Sequence, residues 1–433
     1  MQDSIEIKLQ SALEALRDEQ SVRGRLAAIV KRKRLKDVCI GVWDDGRTMM
    51  PAAGYDAAVK ECVIAMESVR DTPIVAGCLA KQLTGALVSD VVEEGRIGWS
   101  DSVGDVLACD VRSRRLLHGI AVHHLLDHTH GLDASMVAGL PHRADGFIDV
   151  NGLCSALDTP PLCAPGSMYS YDHVGAWLAA AVLERVRGTS YASQLREHRL
   201  ISSSMCDGAD TICPATGADL ALSVEEWLAF AQRSIARHRQ MPDEAPQERK
   251  LPGWHPVERA ICRGWKSYGE GWIGHNANLS DRSAMLRMNV QNRLAIMVSA
   301  RDTNGALFAA SGVFGDLLPE FRNLRPPRLL TPTESGALSL QNHVARYVQA
   351  RTAVQISMDS QGTLHLCVQT REPDAMLSVP RRLQPTREGV FLAELGGSAD
   401  FLFVQFIGGT ESSAPTHLWN GRQVWRREEV ASE

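Results

Sequence analysis

The chain has 433 residues, 44 % apolar and 22 % charged, the balance of a globular protein long enough for two cores. Forty-six Lys and Arg against fifty-one Asp and Glu leave a formal charge of −5, which excludes a general attraction to nucleic acid or to an anionic membrane. Its one basic run, Val30 to Lys36, reads as a solvated helix end.

The first sixteen residues are too acidic and polar for a secretory signal. No apolar run approaches the ~18 residues that span a bilayer, so a cytoplasmic location without a membrane partner is expected. Ten cysteines lack metal-type spacing and fit that compartment as reduced thiols. A disulfide between Cys206 and Cys213 is therefore the poorer reading.

Residues 2–34 carry helix formers, with Leu9, Leu13 and Leu16 at helical intervals. Residues 37–55 read as strand, Asp-Gly turn, strand. Helix signals dominate from Cys78 to Arg237, among them a stretch stopped by Gly188 and another opened by a Ser223/Glu226 capping box. Two strands return at residues 282–289 and 293–300, and a helix is expected over 304–322. Prolines between Asn323 and Thr333 mark a boundary, beyond which the apolar period becomes two. The pattern predicts an α+β unit over 1–325 with a helical insertion at about 95–250, then a small all-β domain over 334–433.

Cys78 opens a helical stretch and Lys81 follows at i+3 on the same face. A helix N-terminus favours thiolate over thiol, and a desolvated lysine becomes a usable proton acceptor near neutral pH. C-x-x-K is common by chance, however, and a free cysteine is more often a packing residue. On this stretch alone both readings stand.

Four segments in order resemble the serine β-lactamase and penicillin-binding-protein superfamily, especially its class C-like esterase and D-aminopeptidase branch. Cys78-x-x-Lys81 stands in the place of that family's S-x-x-K, followed by an acidic, glycine-ended helix. Residues 122–132 (VHHLLDHTHGL) resemble its LLTHTSGL stretch. Residues 164–178 (APGSMYSYDHVGAWL) resemble PGxxFxYSNxGY, with Tyr171 as the tyrosine and His173 at the asparagine. Residues 274–288 resemble its GHxG strand, with His275 and Ala277 for His and Gly. The resemblance covers about residues 36–320 and departs at three points: Ser to Cys, Asn to His, Gly to Ala.

The resemblance implies a β-lactamase/transpeptidase-like antiparallel sheet flanked by helices, with the site in the crevice beside the helical insertion. Cys78 would attack an acyl carbonyl and hold the acyl group as a thioester. Lys81 would keep the sulfur deprotonated or shuttle its proton, and Tyr171, assisted by His173, would relay a proton to the leaving group. His275 would bind a substrate carbonyl or acid, beside Ala277, with the backbone N–H groups of Cys78 and Asn278 as oxyanion hole. Thioesters react well with amines, so the expected chemistry is acyl or peptidyl transfer to an amine, or hydrolysis. The substrate is a small-molecule or peptidyl acyl donor, a carrier-protein thioester included, and no cofactor is needed. A D-amino-acid peptidase or esterase, and a descendant that only binds, are the alternatives.

His118, His124, His128, His130 and Cys109 suggest a zinc site, but the glutamate of H-E-x-x-H is missing, and no metal is expected. The G-x-x-x-x-G-K-[ST] phosphate loop and the G-x-S-x-G elbow are absent from the sequence. Trp265, Tyr268 and Trp272, just before His275, are candidates for an apolar acyl pocket.

Overall fold

The computed structural model describes residues 18–64, 73–137, 143, 147–157, 159–197, 220–240, 249–250, 258, 260–269, 271–315, 340–370, 379–387, 390–394, 401–409 and 413–429. Helix α1 (Glu19–Lys33) is capped by the Asp18 carboxylate, which accepts the Gln20 N–H at 3.1 Å. Lys31, Arg32 and Lys33 fill its last turn, where cations complement the helix dipole; the basic run is a helix end. Leu9, Leu13 and Leu16 lie outside the described residues.

Strands β1 (Val38–Asp44) and β2 (Arg47–Met49) form the expected hairpin. Asp45 and Gly46 both take positive φ, 42° and 100°, as a two-residue hairpin turn that matches strand twist requires. β3 (Ala52–Asp56) pairs with β1 and with β4 (Glu61–Ile64). A short β5 (Ile74–Val75) and a 3-10 turn, Gly77–Leu79, lead into α2 (Ala80–Glu93).

The helical part continues through α3 (Val103–Val106), α4 (Val111–Leu116), α5 (Val122–Leu126), α6 (Val150–Ala156), α7 (Val174–Arg187) and α8 (Tyr191–Glu197). Gly188 ends α7 at φ 75°, as a C-terminal glycine does. β6 (Ala221–Leu222) pairs with β5, and α9 (Val224–Gln240) follows. Its Ser223 hydroxyl accepts the Glu226 N–H at 3.1 Å while the Glu226 carboxylate accepts the Ser223 N–H at 2.8 Å, the reciprocal capping box expected.

β7 (Arg249–Lys250), β8 (Ala260–Cys262), β9 (Trp265–Gly269), β10 (Trp272–Asn278), β11 (Ser283–Asn289) and β12 (Leu294–Ala300) complete the sheet, and α10 (Gly305–Phe314) follows. The strand order is β4-β3-β1-β12-β11-β10-β9-β8-β7, with β2 on β1 and every pairing antiparallel. The β11 and β12 strands are buried along their whole length because both faces are covered. Leu26, Ile29, Val298, Val313 and Phe314 form the core under α1 and α10. Leu83, Leu87, Leu178, Trp227 and Met297 form the larger core under α2, α7 and α9.

Among the described residues beyond 339 the predicted period-two segments form nine strands: β13 (Ala345–Val348), β14 (Thr352–Met358), β15 (Leu364–Thr370), β16 (Arg381–Arg382), β17 (Gln384–Arg387), β18 (Val390–Glu394), β19 (Phe401–Ile407), β20 (His417–Trp419) and β21 (Val424–Arg427). Their order, β16-β15-β14-β13-β21-β20-β19-β18-β17, makes a nearly closed barrel-like sheet around Tyr347, Ile356, Phe391 and Phe406. The fold is thus mixed helix and antiparallel sheet with a C-terminal all-β domain. A fourth core joins the two domains: Tyr169, Tyr171 and Ile261 pack on Leu392, Phe403, Trp419 and Val424.

Candidate active site

The 3-10 turn that carries Cys78 begins at Gly77, whose φ is +53°. A Cβ there would lie 2.9 Å from the Ala277 Cβ, so the turn and strand β10 touch. β9 pairs with β10 only at Trp272, Ile273 and Gly274. The following residues therefore leave that edge of β10 open towards the turn. Cys78 is half-buried, and Lys81, one turn into the helix, is 1 % exposed.

Tyr171 is brought to the sulfur by a buttressed loop. After α5, His128 takes φ +53° and Gly131 φ +77°, so the chain doubles back beside residues 162–170. The Thr129 carbonyl accepts the Gly166 N–H, Gly131 O accepts from Leu162, and His128 O accepts from Ser170. A Cβ on Gly131 would stand 2.2 Å from the Cys163 carbonyl oxygen, which is why this position is glycine. Beyond the tyrosine, Leu132 N–H donates to His130 Nδ1, so His130 carries its proton on Nε2 and donates it to Asp172 at 3.1 Å. Asp172 also accepts the Gly175 N–H at 3.2 Å, tying His173 to the start of α7.

The Tyr171 ring lies between His128 and His275, with centroid distances of 4.5 and 5.7 Å. Three cations surround it: Lys81 Nζ at 4.8 Å, Lys266 Nζ at 5.0 Å and Arg422 Cζ at 5.0 Å. Lys266 is paired with Glu258 at 2.7 Å. Among the described residues no carboxylate pairs with Arg422.

This charge distribution sets the protonation states. Burial pushes the Cys78 thiol up, but Lys81, the Tyr171 hydroxyl, Arg422 and Lys266 together outweigh it and the net shift is downward. Burial, the Cys78 charge and its hydrogen bonding raise the Tyr171 phenol well above its usual range. The hydroxyl stands near enough to favour a thiolate, yet it makes no closed hydrogen bond. Such contacts commonly tighten only when substrate arrives. Burial and then Lys81 lower His173 to about 4, so its neutral Nδ1 accepts from the Lys81 ammonium at 3.4 Å. His275 is likewise lowered by burial, Lys266 and Lys81, and its Nδ1 is held at the Asn276 N–H, 3.0 Å away.

The structure therefore brings Cys78, Lys81, Tyr171, His173, His275 and Ala277 together, with Asn278 at the open strand edge. It does not do so for the three aromatics. Tyr268 and Trp272 lie in the core under α1 and α10, and Trp265 stacks on Phe230 of α9 at 5.9 Å. Strand alternation is the reason: Trp272 points away from the face that carries Ile273 and His275. The acyl-pocket reading of these residues is corrected accordingly.

The histidine run has separate structural duties. His124 Nδ1 accepts the Ala121 N–H, His130 binds Asp172, and His128 packs on Tyr171. Cys109 lies near the Gly104 carbonyl, and His118 is exposed. Among the described residues no group of three or more His, Cys, Asp or Glu is arranged to hold a metal ion. Cys206 and Cys213 fall outside the described residues. No helix of the described residues is long and apolar enough to cross a membrane.

Three further side chains stand at the candidate site, and the sequence does not single them out. Lys266 is one. Arg287, buried, donates to the His275 carbonyl at 3.1 Å and to Asn276 Oδ1 at 2.8 Å, with its guanidinium 3.6 Å from the Tyr268 ring centroid; it braces strand β10. Arg422 is the third. It sits on the β20–β21 turn of the C-terminal domain, where its carbonyl accepts the Tyr171 N–H at 2.5 Å. Gly421, at φ +82°, turns the chain there, but no local pattern tells where this hairpin docks.

The fold is of the β-lactamase type, shared with solved penicillin-binding-protein homologues. Residues 22–205 match the Beta-lactamase family profile. Among solved structures, SurE with D-Leu aligns over 95 % of this chain and 100 % of its own, at 21 % identity and TM-score 0.70. The octameric penicillin-binding protein homologue from Pyrococcus abyssi aligns over 94 % and 99 %, at 16 % identity and TM-score 0.54. The D-alanine carboxypeptidase AmpC from Burkholderia cenocepacia covers 70 % of this chain and 99 % of its own, at 17 % identity and TM-score 0.52. No curated protein sequence matches the chain.

Proposed function

We propose that the chain is an acyl-transfer enzyme in which Cys78 takes the place of the family's serine, carries the acyl group as a thioester and passes it to an amine. The carrying observation is the environment of the sulfur: a thiol whose pKa falls despite burial, because Lys81, Tyr171, Arg422 and Lys266 surround it. A buried structural cysteine moves the other way, as Cys154 does, raised to about 11 by burial.

The Cys78 thiolate attacks the donor carbonyl, and the oxyanion forms between the Cys78 and Asn278 N–H groups. The C–X bond then breaks and the leaving group takes the Tyr171 proton, which Lys81 replaces. Lys81 is now a neutral amine, oriented by His173. When an acceptor amine attacks the thioester, its N–C bond forms, the C–S bond breaks, and its proton returns through Tyr171 to Lys81. Cys78 leaves as thiolate beside a restored ammonium, so each cycle begins and ends in one protonation state. Water in the acceptor's place gives hydrolysis. His275, neutral and facing Tyr171, binds the donor carbonyl side.

The donor is an ester, thioester or peptide in a biosynthetic pathway, a carrier-protein thioester included. The whole-length likeness to a structure solved with D-Leu supports an aminoacyl or peptidyl group. The test is to incubate the protein with peptidyl thioesters, small activated esters and D-amino-acid peptides and read the intact mass. An acyl adduct mapped to Cys78 and lost in Cys78→Ala is expected. Full turnover by Cys78→Ala on a substrate of the wild type would sink the reading.

A further inference from the structure

A cavity of about 120 Å³ lies between the helical part and the C-terminal domain; Tyr171 and His173 line it, and no residue of strand β10 does. Leu132, Ala134, Val137, Leu162 and Trp177 give it an apolar wall, while Tyr171, His173 and Arg422 form its polar end. Both domains are needed to close it. Ala350 N–H donates to the buried Asp133 carboxylate at 2.6 Å, Arg351 N–H to Ser135 Oγ at 3.1 Å, and His417 Nε2 to the Leu162 carbonyl at 3.0 Å. Neither domain alone holds it.

Position decides what the cavity takes. In the acyl-transfer reading the donor's acyl chain takes the edge of β10 that β9 leaves open, beside His275 and Ala277. The leaving group departs on the side of the proton relay, and by microscopic reversibility the acceptor enters where the leaving group left. That side is this cavity.

We propose that this interdomain cavity is the acceptor subsite, taking an α-amino acyl unit with one branched aliphatic side chain. The amine meets the Tyr171 hydroxyl, the side chain fills the apolar wall, and the unit's carbonyl oxygen accepts from the Arg422 guanidinium. The size fits: a cavity of about 150 Å³ accommodates benzene, so this one suits a four-carbon side chain. Arg422 suits the carbonyl because it faces the site with no carboxylate partner among the described residues. Acceptor choice then belongs to the C-terminal domain, through a hairpin turn held by Asn420 Oδ1, which accepts from Arg422 and Gln423 N–H. This inference rests on the acyl-transfer reading above.

The first experiment does not need turnover. Leucinamide, in each enantiomer, is titrated calorimetrically into the Cys78→Ala protein and into Cys78→Ala carrying Ala134→Leu or Arg422→Gln. Binding by one enantiomer, weakened at least tenfold by either substitution, is expected. For Arg422→Gln the loss should vanish with isobutylamine, which keeps the amine but has no carbonyl. Equal binding to all three proteins, or no binding of leucinamide at all, overturns the subsite. The second experiment forms the acyl-Cys78 protein and measures the amide-to-acid product ratio against leucinamide concentration. In Ala134→Leu the half-saturating concentration should rise at least tenfold, the loss falling on the aminolysis step. A loss confined to acylation would make the cavity a donor site and refute the proposal. Failure of the wild type to form any adduct strikes the Cys78 reading instead, and leucinamide binding still decides the subsite.

Discussion

Replacing Tyr171 by Phe removes one oxygen and separates chemistry from packing. The ring keeps its place between His128 and His275 and under its three cations. Its hydroxyl is buried without a closed hydrogen bond, so the deletion leaves no partner unsatisfied. A buried polar group in that condition costs about 1–3 kcal/mol, and its removal should hold stability level or raise it by about 1 kcal/mol. In a unit of about 325 residues that is an increase of roughly 1.5 °C in Tm. Turnover behaves differently. A positioned proton relay contributes roughly 10²–10⁴-fold, or about 3–5 kcal/mol of barrier at 1.36 kcal/mol per decade. The sulfur keeps Lys81, Lys266 and Arg422 beside it, so iodoacetamide should still alkylate Cys78, with its pH inflection moved upward. Melting curves, alkylation followed by intact mass, and turnover on a donor identified by adduct formation make the three readings. Turnover within about fivefold of wild type would refute the relay role. A large drop in Tm with loss of alkylation would show instead that the hydroxyl is structural.

Lys81→Met removes the cation foremost in lowering the Cys78 thiol; the inflection in its alkylation rate should move to higher pH, and an unmoved inflection means the ammonium does not act on the sulfur. His173 is held at about 4 in the folded protein against about 6.5 when unfolded, so its contribution is present above 6.5 and is lost as pH falls through 4. Urea melts should show His173→Asn losing about 3 kcal/mol less stability than wild type over that interval; parallel pH profiles would contradict the assignment. Gly131→Ala drives a Cβ into the Cys163 carbonyl at positive φ and should cost more than about 3 kcal/mol. It should lower turnover with it, since that loop carries Tyr171; an unshifted Tm would show that the loop yields.

Residue order alone pointed to the α+β unit and the second all-β domain, while the grouping of Cys78, Lys81, Tyr171 and His275 came only from the resemblance of four ordered segments to a known superfamily. The elements are legible because they depend on short-range physics: helix and strand periods, the Ser223 capping box and the Asp45-Gly46 turn. Trp265, Tyr268 and Trp272 show where that reasoning stops. Proximity in sequence to His275 put them at the site, while strand alternation and the packing of α9 put them in the cores. Arg422 shows the opposite case, more than two hundred residues from Tyr171 in sequence and 5.0 Å from its ring in space. Only the docking of the barrel, through the Tyr169 and Trp419 core, decided that the β20–β21 turn would stand beside Tyr171 at the candidate site. Contacts of that range come from the complementarity of two assembled surfaces, which no local pattern of residues encodes.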